Sequence, residues 1–420
     1  MKKQFLLYSI STAINKGAVL LYFPILTQFL TLEEFGKWSL VIVVSSLLIP
    51  ILSLNGSAAI LREGSQEISL GYSLLKKYLL ISLLVSGLII LAVYFYFNTN
   101  WFFYSLIIAF SEALLLLGVT MLRAEEKAFP YFLIFLFKTF FIFLLIIYAK
   151  FQGMPLEQLL LYHFFIVGFF AFMLTIYLLS KKVSKHHSYL FGSILLFGIL
   201  LIPHGISQWI MSSSDRIIIE YILGSKEVGI YSLAYNLGMV LMLVNSGIAL
   251  AIPPYMIKNI QNWKENHFDV KISNIYTYFS IVLFVIVLLL YVLDKNYTHI
   301  LGYYGQEMIP LILIIYLSIY FLGIYYLFAN YLFYHKKAYI ISQVTLYASI
   351  LNIVLTIVLT YFLGVLGAAI ATLFAYIYYL YAIRKQTLSI EPLLQIPLIK
   401  NITLNITILS IIGLGFYYVQ

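Results

Sequence analysis

Residues 203–236 read PHGISQWIMSSSDRIIIEYILGSKEVGIYSLAYN. They sit in a hydrophobic span that holds more ionisable side chains than a helix facing lipid tolerates. A charge at the centre of a membrane helix costs about 2.5–3.5 kcal/mol on insertion scales, so such groups face a bundle interior or a water-filled cavity. Helical spacing places His204, Gln208, Ser212, Asp215 and Ile219 on one row, with Trp209, Ser213, Arg216 and Glu220 on the adjoining one. Arg216 and Glu220 are four apart and could neutralise each other. That pairing leaves Asp215, Gln208, His204 and the serines at 212–214 unexplained, whereas the wall of a cavity accounts for all of them.

Outward from this stretch, the whole chain is apolar. Its 420 residues are 63% hydrophobic and 10% charged, with a mean hydropathy of +0.99, whereas about a quarter of the residues in a soluble domain are charged. Apolar runs of about twenty residues recur from end to end, which specifies membrane helices rather than the alternating strands of a barrel. The fold class is an all-α integral membrane protein. Cysteine is absent, which excludes disulfides, thiolate metal sites and a thiol nucleophile. Met1-Lys2-Lys3 leads into an apolar run without a small-residue cleavage site and reads as a retained first span. There is no Walker-type loop, no metal-ligand spacing and no nucleophile elbow, and no loop is large enough for a catalytic domain. A protein without catalytic residues, metal or cofactor is expected, drawing on an ion gradient, the membrane potential or its substrate's own gradient. His186-His187 lies in a basic loop and reads as a solvated headgroup contact. Asn296, Asn401 and Asn405 match the glycosylation acceptor pattern, which is short enough to arise by chance.

The expected spans are 5–30, 38–60, 78–97, 102–122, 129–149, 157–180, 191–223, 229–252, 275–293, 309–332, 338–363 and 365–383, twelve in all, with 401–419 as a thirteenth. Of the 25 Lys and Arg residues, Lys16, Lys138 and Arg216 lie inside spans, and Lys37, Lys150, Lys226 and Lys295 fall in loops on one side. The remaining eighteen collect on the side of the N-terminus, which makes that side cytoplasmic. The net charge of +9 is therefore topology, and nucleic acid is not a partner. Residues 30–40, LTLEEFGKWSL, match 223–233, LGSKEVGIYSL, at Leu30/Leu223, Glu34/Glu227, Gly36/Gly229, Ser39/Ser232 and Leu40/Leu233, with Trp38 opposite Tyr231. A weaker echo pairs Lys127-Ala128-Phe129 with Lys337-Ala338-Tyr339. Six spans separate equivalent points, so the halves share one orientation, as in transporters that rock around a central site. The domains expected are 1–185 and 186–386, six helices each and pseudo-symmetric, followed by a C-terminal segment 387–420. Span 7, 33 residues at 191–223, would be about 50 Å long if straight, against a hydrocarbon core of about 30 Å. Pro203 with Gly205, and Pro24 in span 1, are the expected hinges.

The run SSSDRIIIEYILGSKEVGIYSLAYNLG, its counterpart LTLEEFGKWSL and the late GVLGAAIATL at 364–373 resemble polysaccharide flippases of the Wzx type, in the multidrug/oligosaccharidyl-lipid/polysaccharide (MOP) exporter superfamily. The resemblance covers nearly the whole chain. It implies two six-helix lobes in a V around a central cavity, moving a lipid-linked oligosaccharide from the inner to the outer leaflet by alternating access. Relatives that flip cell-wall precursor usually have fourteen spans, and the smaller number here favours an O-antigen or capsule repeat unit. The substrate so implied is undecaprenyl-pyrophosphate-linked glycan in the bacterial inner membrane. Other implied contacts are membrane lipids and the polysaccharide polymerase and chain-length machinery of lipopolysaccharide biosynthesis.

For that substrate, Lys16, Lys138 and Arg216 are the embedded cations available to phosphate, arginine being best suited to bidentate contact. Lys16 and Arg216 are the expected pyrophosphate ligands. Lys138 is equally readable as a structural partner of Glu112. Asn15, Gln208, Ser212, Tyr235, Asn236 and Trp209 are placed to bind sugar. Asp215, Glu112 and Glu220 are candidates for carrying a proton or helping to bind sodium. The sodium site of the cell-wall branch, shared by spans 7, 11 and 12, points further to Asn352, Thr356 and Thr372, although Asn and Thr also serve as interhelical glue. Two other functions remain: a cation-coupled multidrug exporter of the same superfamily, expected to hold a more acidic chamber than Lys16, Lys138 and Arg216 against Glu112, Asp215 and Glu220 provide, and a polysaccharide polymerase, which would carry a large external loop.

Overall fold

A computed structural model describes residues 2–96, 100–181, 191–303, 305–392, 394 and 396–419. The first part of the chain forms α1 (Lys2–Leu26), α2 (Leu32–Leu52), α3 (Gly56–Gly64), α4 (Ile68–Tyr96), α5 (Asn100–Ala124), α6 (Ala128–Gln152) and α7 (Leu156–Leu179). The rest forms α8 (Phe191–Ile222), α9 (Ser225–Gly238), α10 (Val240–Lys258), α11 (Ile260–Glu265), α12 (Phe268–Leu293), α13 (Met308–Tyr334), α14 (Ala338–Leu388) and α15 (Leu398–Val419). A π-helical turn, Asp294–Thr298, extends α12. Among the described residues, eleven helices are long and apolar enough to cross a membrane.

One of the eleven is two helices. At 51 residues, α14 would run about 76 Å if straight. Instead Gly364 takes φ 63, ψ −145, a region open to glycine because it has no Cβ. The chain then folds back, so that the hydroxyls of Thr345 and Tyr379 meet at 2.8 Å. A Cβ on Gly367 would overlap the Leu359 carbonyl, so the arms touch backbone to backbone. These arms are the expected spans 11 and 12. With α14 taken as two and α1 added, whose described apolar part is Ile10–Leu26, a helix falls within each of the thirteen expected spans, 401–419 included.

Several spans have different limits from those the sequence suggests: span 1 ends at Leu26 rather than 30, span 3 begins at Ile68 rather than 78, and span 9 begins at Phe268 rather than 275. Span 2, expected at 38–60, begins earlier because Thr31 and Glu34 form a capping box: Glu34 N donates to Thr31 Oγ1 at 3.2 Å and Thr31 N to Glu34 Oε2 at 2.9 Å. It ends at Leu52, and Leu54 and Asn55 turn the chain with φ of 48 and 49 into the separate helix α3. The corner itself reads Ser53-Leu54-Asn55-Gly56-Ser57, and its Asn-Gly pair is a turn signal that a single span over 38–60 runs through. Span 8, expected at 229–252, is α9 and α10 joined at Met239.

The chain divides into two compact units, Met1–Ile206 and Ser207–Gln420, so the change falls inside α8. The expected junction at 185/186 lies outside the described residues. In the first unit α5 is the hub, touched by α2, α3, α4, α6 and α7, while α1 packs on α6. In the second, α13 is touched by α9, α10, α12, α14 and α15. The apolar windows of these two hubs are 78% and 83% buried, against at most 44% for any other span. They are the expected spans 4 and 10, equivalent positions of the repeat. Local geometry agrees. Glu34 and Glu227 both stand third in their helices, where a carboxylate meets free backbone N–H groups. The turns after the hubs match as well: Glu126 and Lys336 have φ of 58 and 57, and Lys127 N→Leu122 O and Lys337 N→Leu332 O are both 2.8 Å.

Candidate functional site

Gly224, at φ 103, turns α8 directly into α9. Positions 212, 215 and 216 of α8 are thereby brought against 235, 231 and 232 of α9. Asp215 and Arg216 are 2% and 4% exposed, and buried charges persist only when paired and hydrogen-bonded. Asp215 Oδ1 accepts from Arg216 N at 2.9 Å and lies 3.6 Å from the Arg216 Nη1 atom. The Tyr231 hydroxyl donates a short hydrogen bond to Asp215 Oδ2. Arg216 Nε donates to Ser232 Oγ at 3.3 Å. Its guanidinium carbon lies 4.1 Å from the Tyr235 ring centre and 5.7 Å from that of Tyr231, a cation–π arrangement. Tyr235 in turn donates to Ser212 O at 2.9 Å.

The pairing between Arg216 and Glu220 raised by their spacing is replaced by this one. Glu220 Oε1 accepts from Ser225 Oγ at 2.8 Å across the Gly224 turn, and the Arg216 guanidinium points to α9 instead. Tyr231 and Ser232 complete the site from α9, beyond the reach of the spacing along α8, and their signal in the sequence is the repeat that aligns them with Trp38 and Ser39. Asn236 is buried on α9, Ser212 is half-buried and Gln208 is exposed.

From the first arm of α14, Asn352 reaches this cluster, its Oδ1 accepting from Ser214 Oγ at 3.5 Å. Asn352, Thr356 and Thr360 lie along one buried stripe. Among the described residues, Asn352 Nδ2, Thr356 Oγ1 and Thr360 Oγ1 have no hydrogen-bond partner. Thr372, on the second arm, is buried and donates to Ala368 O at 3.1 Å.

The first unit holds a second charged pair. Lys138 Nζ binds both oxygens of Glu112, at 2.9 and 3.2 Å, and is itself buried. Among the described residues no cluster of three or more His, Asp or Glu side chains is placed to hold a metal. Asn15 is an exposed residue of α1, and Pro24 lies inside that helix; the Lys16 side chain and His186-His187 lie outside the described residues. Pro203 and Gly205 both lie within α8, and a Cβ on Gly205 would meet nothing.

Solved structures of the MOP superfamily share this architecture. The Lipid II flippase MurJ in an inward closed conformation aligns with a TM-score of 0.70 over 99% of this chain and 97% of that one, at 15% identity. An inward-facing multidrug resistance MATE family transporter of the MOP superfamily aligns at 0.64 over 93% and 99%, at 13% identity. An outward-facing one aligns at 0.58 over 94% and 96%, at 14% identity. The fold is thus that of a multi-pass MOP transporter. Residues 1–260 match the family described as "Polysaccharide biosynthesis protein", and the chain belongs to that family. No curated protein matches the sequence.

Proposed function

We propose that this membrane protein is a non-enzymatic flippase. It carries undecaprenyl-pyrophosphate-linked oligosaccharide, an O-antigen or capsule repeat unit, from the cytoplasmic to the outer leaflet of the bacterial inner membrane. The match of residues 1–260 to polysaccharide biosynthesis proteins carries this reading. The N-terminus is cytoplasmic, on the side where eighteen of the 25 Lys and Arg residues collect. The working lobes are 1–185 and 186–386, with 387–420 as an added helix. Polymerase and chain-length machinery receive the product.

In this proposal Arg216 alternates between two anions. At rest it is held by Asp215 at 3.6 Å, looser than the 2.9 Å contact between Lys138 and Glu112, and by the Tyr235 face. Pyrophosphate carries more charge than one carboxylate and accepts a guanidinium bidentately, so with Lys16 it draws Arg216 away. Asp215 would then be a buried carboxylate held only by Tyr231 and backbone, and it takes up a proton or a sodium ion to remain buried. Ser214, Asn352, Thr356 and Thr372 supply oxygens for sodium. Engagement of substrate and uptake of the coupling cation become two halves of one exchange. Asn15, Gln208, Ser212, Tyr235 and Asn236 contact the glycan, and Lys138, Glu112 and Glu220 remain further candidates for substrate or ion.

The test is transport of a fluorescent polyisoprenyl-pyrophosphate oligosaccharide in proteoliposomes. Arg216→Ala and Lys16→Ala are expected to lower transport at least tenfold, and Asp215→Asn to remove its dependence on the sodium or pH gradient. Full transport by both cation variants overturns the proposed ligands. A protein that moves no lipid-linked glycan but lowers drug susceptibility when expressed is a multidrug exporter instead.

A further inference from the structure

The first two turns of α8 are fastened to the corner between α2 and α3 and to α4. Gly198 passes so close that a Cβ there would stand 2.8 Å from the Leu54 carbonyl oxygen and 3.3 Å from the Tyr78 hydroxyl. Asn55 Nδ2 donates to Gly198 O at 3.5 Å and Tyr78 OH to Ile194 O at 3.3 Å, two carbonyls of α8 that thus gain an extra partner. Arg62 covers the Phe197 ring at 4.6 Å, Lys77 covers Phe191 at 4.8 Å, and Tyr78 meets Phe191 edge-on at 5.6 Å. The receiving corner is specialised for this contact. Leu54 and Asn55 both adopt left-handed φ, a conformation disfavoured for a residue with a Cβ such as leucine. Gly56 is covered by the fully buried Tyr78 ring, at 2.5 Å from where its Cβ would be.

One helix therefore serves two units. Residues 191–206 of α8 belong to the first and 207–222, with Asp215 and Arg216, to the second; Pro203 lies between. The contacts that hold the first arm suit a reversible latch. The hydrogen bonds are long, both cations face aromatic rings, and a glycine provides the closest approach.

We infer that the Leu54-Asn55/Gly198/Tyr78 contact is a latch. It is closed here, and it opens at the cytoplasmic end of the helix so that α8 can flex at Pro203 and present Arg216 to a lipid-linked substrate. The inference rests on the flippase reading and its sidedness. It assigns to Gly198 and Tyr78 a role that neither the repeat nor the polar cluster requires.

The chain has no native cysteine, so each introduced thiol is unique. Arg62→Cys combined with Phe197→Cys is joined by a short reducible bis-thiosulfonate, and transport is measured before and after reduction. The expected result is efficient joining, at least tenfold loss of transport, recovery on reduction, and no effect of the reagent on either single variant. Joined protein that transports at the full rate overturns the latch, and so does folded protein whose cysteines do not join. Docking is also read without transport, from maleimide labelling of the single variant Phe197→Cys. Adding Gly198→Val is expected to speed labelling at least tenfold, and unchanged labelling overturns the inference. Failure of the unjoined single variants to move glycan counts against the flippase reading alone, because joining and labelling still report the latch.

Discussion

At the scale of single residues, the two embedded ion pairs differ in what they can release. Lys138 is clamped by both oxygens of Glu112, whereas Arg216 shares itself among a carboxylate, a hydroxyl and an aromatic face. Removing one partner of a buried pair strands the other, at about 3 kcal/mol or more, while replacing both by apolar groups is close to neutral. Lys138→Met and Glu112→Leu are each expected to lower the melting temperature in detergent, and the double variant to recover most of the loss. A double variant as unstable as the sum of the singles would mean that the pair is not the reason for either residue. Both pairs bear on how far the site is legible. Sequence spacing identified Lys138, Asp215 and Arg216, which are buried, because a charge inside an apolar span is costly; it missed the buried Asp269 at the start of α12, which lies ahead of the span expected there. It could not choose the partner of Arg216, since the i+4 neighbour competes with groups brought in by the Gly224 turn.

At the scale of elements, the break between the spans expected at 338–363 and 365–383 falls at Gly364, where the structure turns the chain. The α14 hairpin depends on Gly364, whose φ of 63 and ψ of −145 leave a side chain no relaxed conformation. Gly364→Val is expected to destabilise the protein by about 1–3 kcal/mol, read as a lower melting temperature together with faster proteolysis between the arms. Helix α15 is held by amide donors: Asn401 Nδ2 to Ser273 Oγ at 2.8 Å and Asn405 Nδ2 to Ser280 Oγ at 2.6 Å. This ladder explains the asparagines of 401–419 as interhelical contact and buries two of the glycosylation-like sites, whereas Thr403 is exposed and bonds to carbonyls of its own helix. Such bonds average about 0.6 kcal/mol in membranes. Asn401→Leu with Asn405→Leu should therefore lower stability by about 1 kcal/mol and increase proteolytic release of α15. An unchanged cleavage rate would mean that apolar packing alone retains the helix.

At the scale of the whole molecule, a charged tether outside the membrane joins distant parts of the second unit. Glu391, in the connection between α14 and α15, accepts from Lys264 of α11 at 2.7 and 2.8 Å and from His335, after α13, at 2.8 Å. Partial burial pushes the Glu391 carboxyl up, and the hydrogen bonds from Lys264 and His335 outweigh it, leaving the group below the ordinary carboxylate range. A carboxylate whose folded value is depressed stabilises the fold above its unfolded value, near about 4.3, and loses that contribution as pH falls through the folded value. Wild type is therefore expected to lose stability between about pH 5 and pH 3 more steeply than Glu391→Gln. Parallel profiles for the two proteins would remove the tether from the account.

By itself the sequence determined the class of the molecule, the approximate places of its helical spans, their repeat, and three of the buried charges, Lys138, Asp215 and Arg216. Each of these follows from one-dimensional patterns: transfer free energy summed over about twenty residues, loop charge, and the match of 30–40 to 223–233 that pairs Glu34 with Glu227. Only the tertiary structure decided that α5 and α13 are the two hubs, that Asp215 pairs with Arg216 beneath Tyr231 and Tyr235, and that α8 is divided between two units. These depend on which faces meet after the chain turns at Asn55, Gly224 and Gly364. A left-handed or glycine-only backbone angle at one residue redirects a whole helix without altering the hydropathy on either side of it.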